Sequence, residues 1–353
     1  MRRNLGDWER EAAGRLDAMT ATYYASGSRD QRTLQANRRG WQQWQLRHRV
    51  LVDVSQATTA TTVLGQPVAH PILTAPTAFH GLAHPDAEQA TARGTAAAGG
   101  RFVLSTLSNT PVEVVAAEGP TWFQLYVYKD RGATGAMVDR AREAGCQALV
   151  LTCDAAVLGT REGDVGFHLP PHLSLPNARP GAQGVPGVAG DSGLSRYVAE
   201  QLDQSLTWDD VTWLQERAGL PVVLKGIVRG DDAARAVDRG VAGIVVSNHG
   251  GRQLDAGVAT ADALAEVVEA VDGRCEVYVD GGLRRGTDVL VALALGARAV
   301  LVGRPALWGL AVDGADGVAA VLRQLQAELL EAMQLAGAPT VERVTSDLLR
   351  PMR

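Results

Sequence analysis

The sequence has few cysteines and no pattern that would pair them or bind a metal. It contains three, Cys146, Cys153 and Cys275, an odd number at wide spacings without a C-x-x-C motif. Such a set forms neither a disulfide framework nor a zinc site, so we expect a reducing compartment and no metal.

A long hydrophobic run and an excess of positive charge are also lacking. The most apolar stretch begins at Val289 and is interrupted by Gly296 and Arg298, so it is too broken to span a bilayer. The charged start, MRRNLGDWEREAAG, has no apolar centre like that of a signal peptide. The formal net charge of -5 offers no basic field for a nucleic acid. We therefore expect a cytoplasmic protein that binds neither a membrane nor a nucleic acid.

The chain does have enough apolar sequence for a large core. Of its 353 residues, 46% are apolar and 21% are charged, an ordinary globular profile without low-complexity segments. This length suits one large α/β domain or two smaller ones.

Eight apolar runs of strand length recur along the chain, separated by segments with helical spacing. Near-continuous apolar strands that alternate with helices indicate a parallel sheet buried on both faces. Eight repeats favour a closed (β/α)8 TIM barrel over an open doubly wound sheet, which would normally have fewer strands and a glycine-rich loop after the first. The runs are 71–78, 101–108, 121–127, 148–154, 221–227, 243–250, 276–282 and 299–305.

Two regions fall outside this repeat in what we expect to be a single domain over residues 1–353. Residues 1–70 form an N-terminal extension with a helical start and a hairpin, TTVLGQPV, that is placed to close the bottom of the barrel at 71–353. Residues 169–206, after the fourth strand, are long and rich in Pro and Gly. Their length and position predict a mobile lid loop, although composition alone fits a disordered insertion equally well.

Polar and charged side chains gather at the carboxyl ends of the predicted strands, where barrel enzymes have their active sites. A lone histidine or lysine there would usually be structural or solvated. Several charged groups at one end of different strands cannot all be core, because unpaired buried charges are costly. A site that binds an anion and moves protons explains them together. The side chains are Gln124, Tyr126, Thr152, Asp154, Lys225, Ser247, Asn248, His249, Arg252, Asp280 and Arg284.

The segment SNHGGRQLD at 247–255 resembles the signature of the FMN-dependent 2-hydroxy acid oxidase/dehydrogenase family, which includes glycolate oxidase, lactate oxidase and mandelate dehydrogenase. YYASGS, APTA, FQLYVYKDRG, LTCDAAVLGTRE, PVVLKG, DGGLRRGTDVLVALALGA and VGRP resemble further blocks of that family, in its order, over essentially the whole chain. The resemblance implies FMN as cofactor, oxidation of an L-2-hydroxy acid to the 2-oxo acid, and a homotetramer or homo-octamer.

The resemblance also implies catalytic and substrate-binding roles. His249 matches the base that takes the substrate proton, and Asp154 matches the carboxylate that steadies it when charged. Arg252 matches the arginine that pairs with the substrate carboxylate through two hydrogen bonds, a task suited to a planar guanidinium. The other matches to substrate-binding groups are Arg161, Tyr23 and Tyr126.

For the cofactor, Lys225 matches the lysine beside the pyrimidine end of the flavin, where a fixed positive charge stabilises the anion formed on reduction. The phosphate is expected in the loops after the last two strands. The remaining matches are Ser105, Gln124, Thr152, Ser247 and Asp280 at strand ends, the backbone of Pro76, Thr77 and Ala78 against the ring, and Gly282, Arg284, Gly303 and Arg304 around the phosphate.

Two departures from the family pattern bear on the substrate. The family often has consecutive arginines where this chain has Thr160 and Arg161, so the carboxylate assignment rests more on Arg252. The glycolate-oxidising members carry a tryptophan where this chain has Leu107. We therefore predict a wider pocket and a substrate larger than glycolate: lactate-sized, longer aliphatic or aromatic.

The sequence bears on the electron acceptor through the segments that it has and lacks. The chain has neither the apolar loop insertion of the membrane-bound members nor a haem domain, and DSGLSRYVAEQLDQSLTW resembles the soluble oxidases. Dioxygen, giving hydrogen peroxide, is thus the preferred acceptor, with a soluble dehydrogenase that uses a quinone or a protein as the alternative. A barrel that binds FMN or a phosphate without catalysis would not need His249, Asp154 and Arg252.

Overall fold

The computed structural model describes residues 2–178, 185 and 192–352. Part of the lid loop predicted at 169–206 therefore lies outside the described residues. The strands are β1 (Trp44–Leu46), β2 (Thr61–Val63), β3 (Gln66–Val68), β4 (Ile72–Thr74), β5 (Phe102–Leu104), β6 (Thr121–Leu125), β7 (Leu149–Thr152), β8 (Val222–Ile227), β9 (Gly243–Val246), β10 (Glu276–Asp280), β11 (Ala299–Val302) and β12 (Leu349–Pro351). The helices are α1 (Leu5–Arg15), α2 (Ala18–Ala25), α3 (Arg32–Trp41), α4 (Ala87–Ala97), α5 (Val112–Glu118), α6 (Arg131–Glu143), α7 (Gly193–Gln201), α8 (Trp208–Ala218), α9 (Gly230–Asp238), α10 (Thr260–Val271), α11 (Gly286–Ala294) and α12 (Arg304–Ala336). Short 3-10 helices lie at His80–Leu82, Glu162–Asp164, Val341–Arg343 and Ser346–Leu348.

Strands β4 to β11 pair in parallel and close into an eight-stranded barrel, with β11 hydrogen-bonded to β4. Each barrel strand is followed by a helix that covers its outer face, so the predicted (β/α)8 barrel is confirmed. The strands are shorter than the apolar runs, because the last residues of each run leave the sheet to form the loops at its carboxyl end.

The inside of the barrel consists of an apolar layer and a polar layer. Because side chains alternate along a strand, residues two apart share a face. Trp122, Val223 and Tyr278 belong to the apolar cluster inside the barrel. Two positions further along the same strand faces lie the polar side chains of Gln124, Lys225 and Asp280. The interior is therefore mainly apolar toward the amino ends of the strands and polar at the carboxyl ends.

The bottom of the barrel is closed by the predicted hairpin, which is formed by β2 and β3. Val63 and Val68 of the hairpin pack into the interior cluster, and the N–H of Leu64 donates to Glu276 Oε2 at 2.9 Å. Solvent is thus kept from the interior at this end, so the carboxyl end holds the accessible cleft.

Two aromatic side chains of the N-terminal extension have packing roles. Trp41 ends α3 inside the core, and Trp44 begins β1, which pairs with β12, and packs against that core. Strand alternation over the run 148–154 predicts that Cys153 packs against the surrounding helices, but Cys153 is exposed. Strand β7 ends at Thr152, so strand alternation no longer applies to Cys153.

Helix α12 is long and apolar enough to cross a membrane by length and composition, with a mean hydropathy of 1.2 in its most apolar window. However, 72% of that window is buried inside the protein. The helix is also interrupted at Asp313 and Gly314, where the backbone leaves the helical region. It packs against α1, α4 and α11, as a core helix does.

Candidate active site

A cleft opens at the carboxyl end of the barrel and encloses about 1220 Å³, counting the solvent at its mouth. All the site residues predicted from the sequence line it except Asp154, Ser247 and Asn248. Asp154 and Ser247 lie directly behind His249 and Lys225, to which they are hydrogen-bonded.

The floor of the cleft is a row of polar side chains that are hydrogen-bonded to one another. Gln124 Oε1 accepts from the N–H of Thr106 at 3.1 Å and from Ser105 Oγ at 3.3 Å. Gln124 Nε2 donates to Thr152 Oγ1 at 2.9 Å. All four residues are buried, so their polar groups are fixed in direction before any ligand binds.

One wall follows strand β4 and contains Pro76, Thr77 and Ala78. The hydroxyl of Thr77 lies 2.6 Å from Nε2 of the fully buried His80. Burial lowers the pKa of His80 despite the nearby charge of Glu88, so this imidazole is neutral and holds the wall in place.

Lys225 carries a buried positive charge into the polar layer. Its Nζ lies 3.2 Å from Asp280 Oδ2 and donates to Ser247 Oγ at 2.9 Å. Burial alone would lower the pKa of Lys225, but the charges of Asp280 and Asp154 outweigh it and raise that pKa. The ammonium group therefore stays charged although its side chain is only 4% exposed.

His249 follows β9 and faces the cleft in an uncommon backbone conformation. Its φ of 60° is left-handed, which costs a non-glycine residue roughly 1–2 kcal/mol. Its Nδ1 lies 3.0 Å from Asp154 Oδ1. Burial raises the pKa of Asp154, but the hydrogen bond from His249 and the charge of Lys225 help to bring it below its ordinary value, so the carboxyl is ionised. Since an ionised carboxylate only accepts, Nδ1 carries the proton and Nε2 is left as a base.

The carboxyl end of helix α2 holds two arginines. Arg252 Nη1 donates to the carbonyl oxygens of Tyr23 at 2.6 Å and Ser26 at 2.9 Å. Arg304 donates from Nε to the carbonyl of Tyr24 at 2.8 Å and from Nη2 to that of Ser26 at 3.0 Å. The negative end of the helix dipole favours cations here. The N-terminal extension thus positions the arginines of the site.

These arginines form a concentration of positive charge inside the cleft. Burial, followed by the charge of Arg161, lowers the pKa of Arg252 to about 10. Burial and the charge of Arg38 lower the pKa of Arg284 to about 10. Burial and the charges of Arg252 and Arg284 lower the pKa of Arg304 well below its ordinary value. Bound anions would relieve this repulsion, so the arginines mark an anion site.

Arg161 also lines the cleft but already has an anionic partner. Its Nε lies 2.7 Å from Asp164 Oδ2, and the two side chains are 4% and 2% exposed. Ser26 Oγ donates to the other oxygen of Asp164 at 3.1 Å. The guanidinium groups of Arg161 and Arg252 lie 5.6 and 4.8 Å from the ring centre of Tyr23. Arg252 is therefore the better placed of the two for a substrate carboxylate.

The two predicted tyrosines supply hydrogen-bond donors. Burial raises the pKa of Tyr23, and burial together with the charge of Asp154 raises the pKa of Tyr126. Both phenols are therefore protonated at neutral pH and can donate to a bound anion or hydroxyl. Tyr23 stacks on Phe167 with ring centres 4.2 Å apart, which fixes its ring.

The far end of the cleft is a cradle after β10 and β11. Arg284 lies over Trp308 at 4.8 Å, and its buried Nε has no partner among the described residues. Gly282 has a φ of 83°, and an added Cβ would lie 2.1 Å from the carbonyl oxygen of Asn37. At the start of α12, Pro305 has no N–H, and the N–H groups of Ala306 and Leu307 donate to the carbonyl of Gly303 at 3.0 and 3.3 Å. The backbone N–H of Arg304 is thus the first-turn amide that remains for an anion. The side chain of Arg304 is bound to carbonyl oxygens, so Arg304 offers the cradle its backbone.

Sequence reasoning missed an apolar wall at the mouth. Leu194, Val198 and Leu202, from α7 and its end, line the cleft together with Leu158 and the predicted Leu107. Their i, i+4, i+8 spacing is visible in the sequence, but it says only that one helical face is buried, not that it faces a ligand.

Comparison with known proteins gives a consistent result. The family described as FMN-dependent dehydrogenase matches residues 12–351. The chain is 53% identical to L-lactate oxidase of Nostoc sp., over 98% of this chain and 97% of the relative. It is 49% identical to Glycolate oxidase 3 of Arabidopsis thaliana, over 97% and 94%. It also superposes on the crystal structure of mandelate oxidase with (S)-4-hydroxymandelic acid with a TM-score of 0.95 and 42% identity, over 98% of each chain.

Proposed function

This chain belongs to the FMN-dependent dehydrogenase family, its cofactor is FMN, and we propose that it oxidises an L-2-hydroxy acid to the 2-oxo acid with dioxygen as acceptor. The observation that carries the proposal is the pairing of His249 with an ionised Asp154 beside Arg252, whose charge has no carboxylate partner among the residues that the structure describes. A protein that only binds FMN would need the cradle but not this arrangement of base and cation.

The described residues fit FMN. Arg284 Nε, which has no partner among the described residues, the backbone N–H of Arg304 at the start of α12 and the close approach of the chain at Gly282 suit the phosphate. The fixed amide of Gln124 and the ammonium group of Lys225 suit the polar edge of the ring. When bound, FMN supplies the two-electron acceptor for the oxidation.

The side chains around the substrate have separate tasks. Arg252 binds the carboxylate with the guanidinium edge that its carbonyl partners leave free, and Tyr126 donates to the substrate. Conversion of the hydroxy acid to the oxo acid releases two electrons and two protons. His249 Nε2 accepts one proton, and the two electrons with the other proton would pass to FMN. The charged imidazole pairs with Asp154, which lowers the barrier to the proton transfer.

Substitution of Arg252 by lysine tests the carboxylate assignment. A lysine is a point charge and cannot reproduce two parallel hydrogen bonds. Loss of one charge-assisted bond of about 1.5–3 kcal/mol predicts a KM raised about 10- to 100-fold, with a smaller fall in kcat. Steady-state kinetics measures KM and kcat, and Arg32→Lys, at an exposed position, is the control. A normal KM with a large loss of kcat would contradict the assignment.

We further propose a substrate larger than glycolate. Leu107 and the apolar wall formed by Leu158, Leu194, Val198 and Leu202 leave space lined by aliphatic groups beside Tyr126. An aliphatic or aromatic side chain on the hydroxy acid would bury apolar area there, whereas glycolate has none to bury.

Leu107→Trp is expected to shift this preference. The larger ring fills the space, so the ratio of kcat/KM for 2-hydroxyoctanoate to that for glycolate should fall at least about 10-fold. Leu335→Trp, at a surface position that is 71% exposed, serves as the control. An unchanged ratio, or turnover of glycolate alone by the parent, would rule out this account of size selection.

The proposed partners are small molecules, the hydroxy acid and dioxygen, with a homotetramer or homo-octamer in the cytoplasm as the working form. The assembly rests on the family resemblance and the compartment on the sequence, and sedimentation of the purified holoenzyme tests the assembly.

Turnover in air, compared with turnover on an artificial dye under nitrogen, tests the acceptor. The proposal predicts one hydrogen peroxide per oxo acid in air, at a rate similar to or above that with the dye. Rapid turnover on the dye with little peroxide in air would assign a dehydrogenase instead.

A further inference from the structure

The strained conformation of His249 must be held by its surroundings, because a residue at positive φ relaxes when its contacts are lost. Within the loop, the N–H of His249 donates to Ser247 Oγ at 3.0 Å. The N–H of Gly251 donates to Asn248 Oδ1 at 3.1 Å. The side chain of Asn248 therefore braces the turn that contains His249.

The direction of the Asn248 amide is fixed from outside the barrel. Asn37, on helix α3, is only 1% exposed. Its Nδ2 donates to Asn248 Oδ1 at 2.7 Å, and Asn248 Nδ2 donates back to Asn37 Oδ1 at 2.8 Å. Two antiparallel bonds between planar amides fix both the position and the rotation of each group.

The two amides also form hydrogen bonds with the segment that follows the loop. Asn248 Nδ2 also donates to the carbonyl of Val258 at 2.9 Å, and Asn37 Oδ1 accepts from the N–H of Thr260 at 3.2 Å. The two amides together thus bind the chain on both sides of the loop. A single amide, Asn37, connects α3, the histidine loop and the start of α10.

We propose that Asn37 is a positioning residue for the reaction, and that its amide pair with Asn248 holds His249 in the left-handed conformation that directs its ring to Asp154 and the cleft. The inference rests on the proposed function, in which His249 is the proton acceptor. The backbone carbonyl of Asn37 also lies against Gly282 of the cradle, so cofactor affinity is measured separately from the rate.

Asn37→Ala, Asn248→Ala and the double variant test the pair in the holoenzyme. Each single change should slow flavin bleaching at saturating 2-hydroxy acid about 10- to 100-fold, with KM and the Kd of FMN within about 3-fold. Because the two side chains act as one unit, the double variant should be no slower than the slower single variant. Gln35→Ala, an exposed change on the same helix, should leave the rate unchanged.

Asn37→Asp makes the rate depend on pH if the amide pair positions His249, which a merely structural role of Asn37 would not do. A protonated carboxyl can donate and accept as the amide does, whereas an ionised carboxylate has no donor for Asn248. The ratio of the variant rate to the parent rate should therefore be near 1 at low pH and fall as pH rises through the pKa of the new carboxyl. A ratio that does not depend on pH would count against the pair.

A crystal structure of holo Asn37→Ala decides the positioning without any turnover. The expected result is a His249 ring beyond hydrogen-bond distance of Asp154, with φ no longer left-handed. Unchanged His249 geometry, or a double variant whose loss is the product of the single losses, would overturn the inference. If no 2-hydroxy acid bleaches the parent, the proposed function fails, while this structure still decides the role of Asn37.

Discussion

Replacing His249 by asparagine or alanine should lower the rate of flavin bleaching by about 10²- to 10⁴-fold, the range for loss of a general base. Asparagine tolerates a left-handed backbone, so His249→Asn keeps the loop conformation while removing the basic nitrogen. Both variants should remain folded and yellow, because neither the cradle nor the polar floor includes this side chain.

Stopped-flow absorbance under nitrogen measures this rate at saturating 2-hydroxy acid. His48→Ala, at an exposed position, is the control for loss of a histidine. A near-normal rate in both His249 variants would remove the catalytic assignment. A slow rate with loss of FMN would instead show that His249 holds the cofactor.

Lys225→Met should lower the free energy of unfolding by about 3–5 kcal/mol, because it leaves the carboxylate of Asp280 buried without a cation. The same change should slow flavin reduction by about 10²- to 10³-fold, since the fixed charge beside the ring is lost. The two effects separate in the double variant with Asp280→Asn. Stability should recover, because no lone charge is buried, while reduction should stay slow.

Urea denaturation of the apoprotein measures the stability, with Arg229→Met as the matched control. Arg229 pairs with Asp231 where the side chains are 66% and 65% exposed, so breaking this pair should cost less than about 1 kcal/mol. Equal destabilisation by Lys225→Met and Arg229→Met would contradict the buried pair. Recovery of the rate in the double variant would contradict the electrostatic role of Lys225.

The sequence predicted the barrel because its strands are buried on both faces and therefore read as continuous apolar runs. It also predicted the polar layer, since strand alternation places Gln124 above Trp122 and Lys225 above Val223. The resemblance supplied residues that no periodicity marks, such as Pro76, and the cleft does include it.

Contacts between distant parts of the chain could not be predicted in this way. Arg252 and the carbonyl of Tyr23 are 229 positions apart, and backbone carbonyl partners leave no trace in residue identity. The ion pair of Arg161 with Asp164 depends on the path of an irregular segment, so the sequence did not reveal that the charge of Arg161 is already balanced by a carboxylate. Cys153 shows the same limit, because strand alternation stops where β7 ends.

The absorption spectrum of the purified holoenzyme under nitrogen, before and after addition of L-2-hydroxy acids, tests the central claim most directly. The account predicts a flavin spectrum that bleaches with an apolar-substituted L-2-hydroxy acid and returns rapidly when air is admitted. A colourless protein that cannot be reconstituted with FMN, or a flavin that no 2-hydroxy acid bleaches, would contradict it.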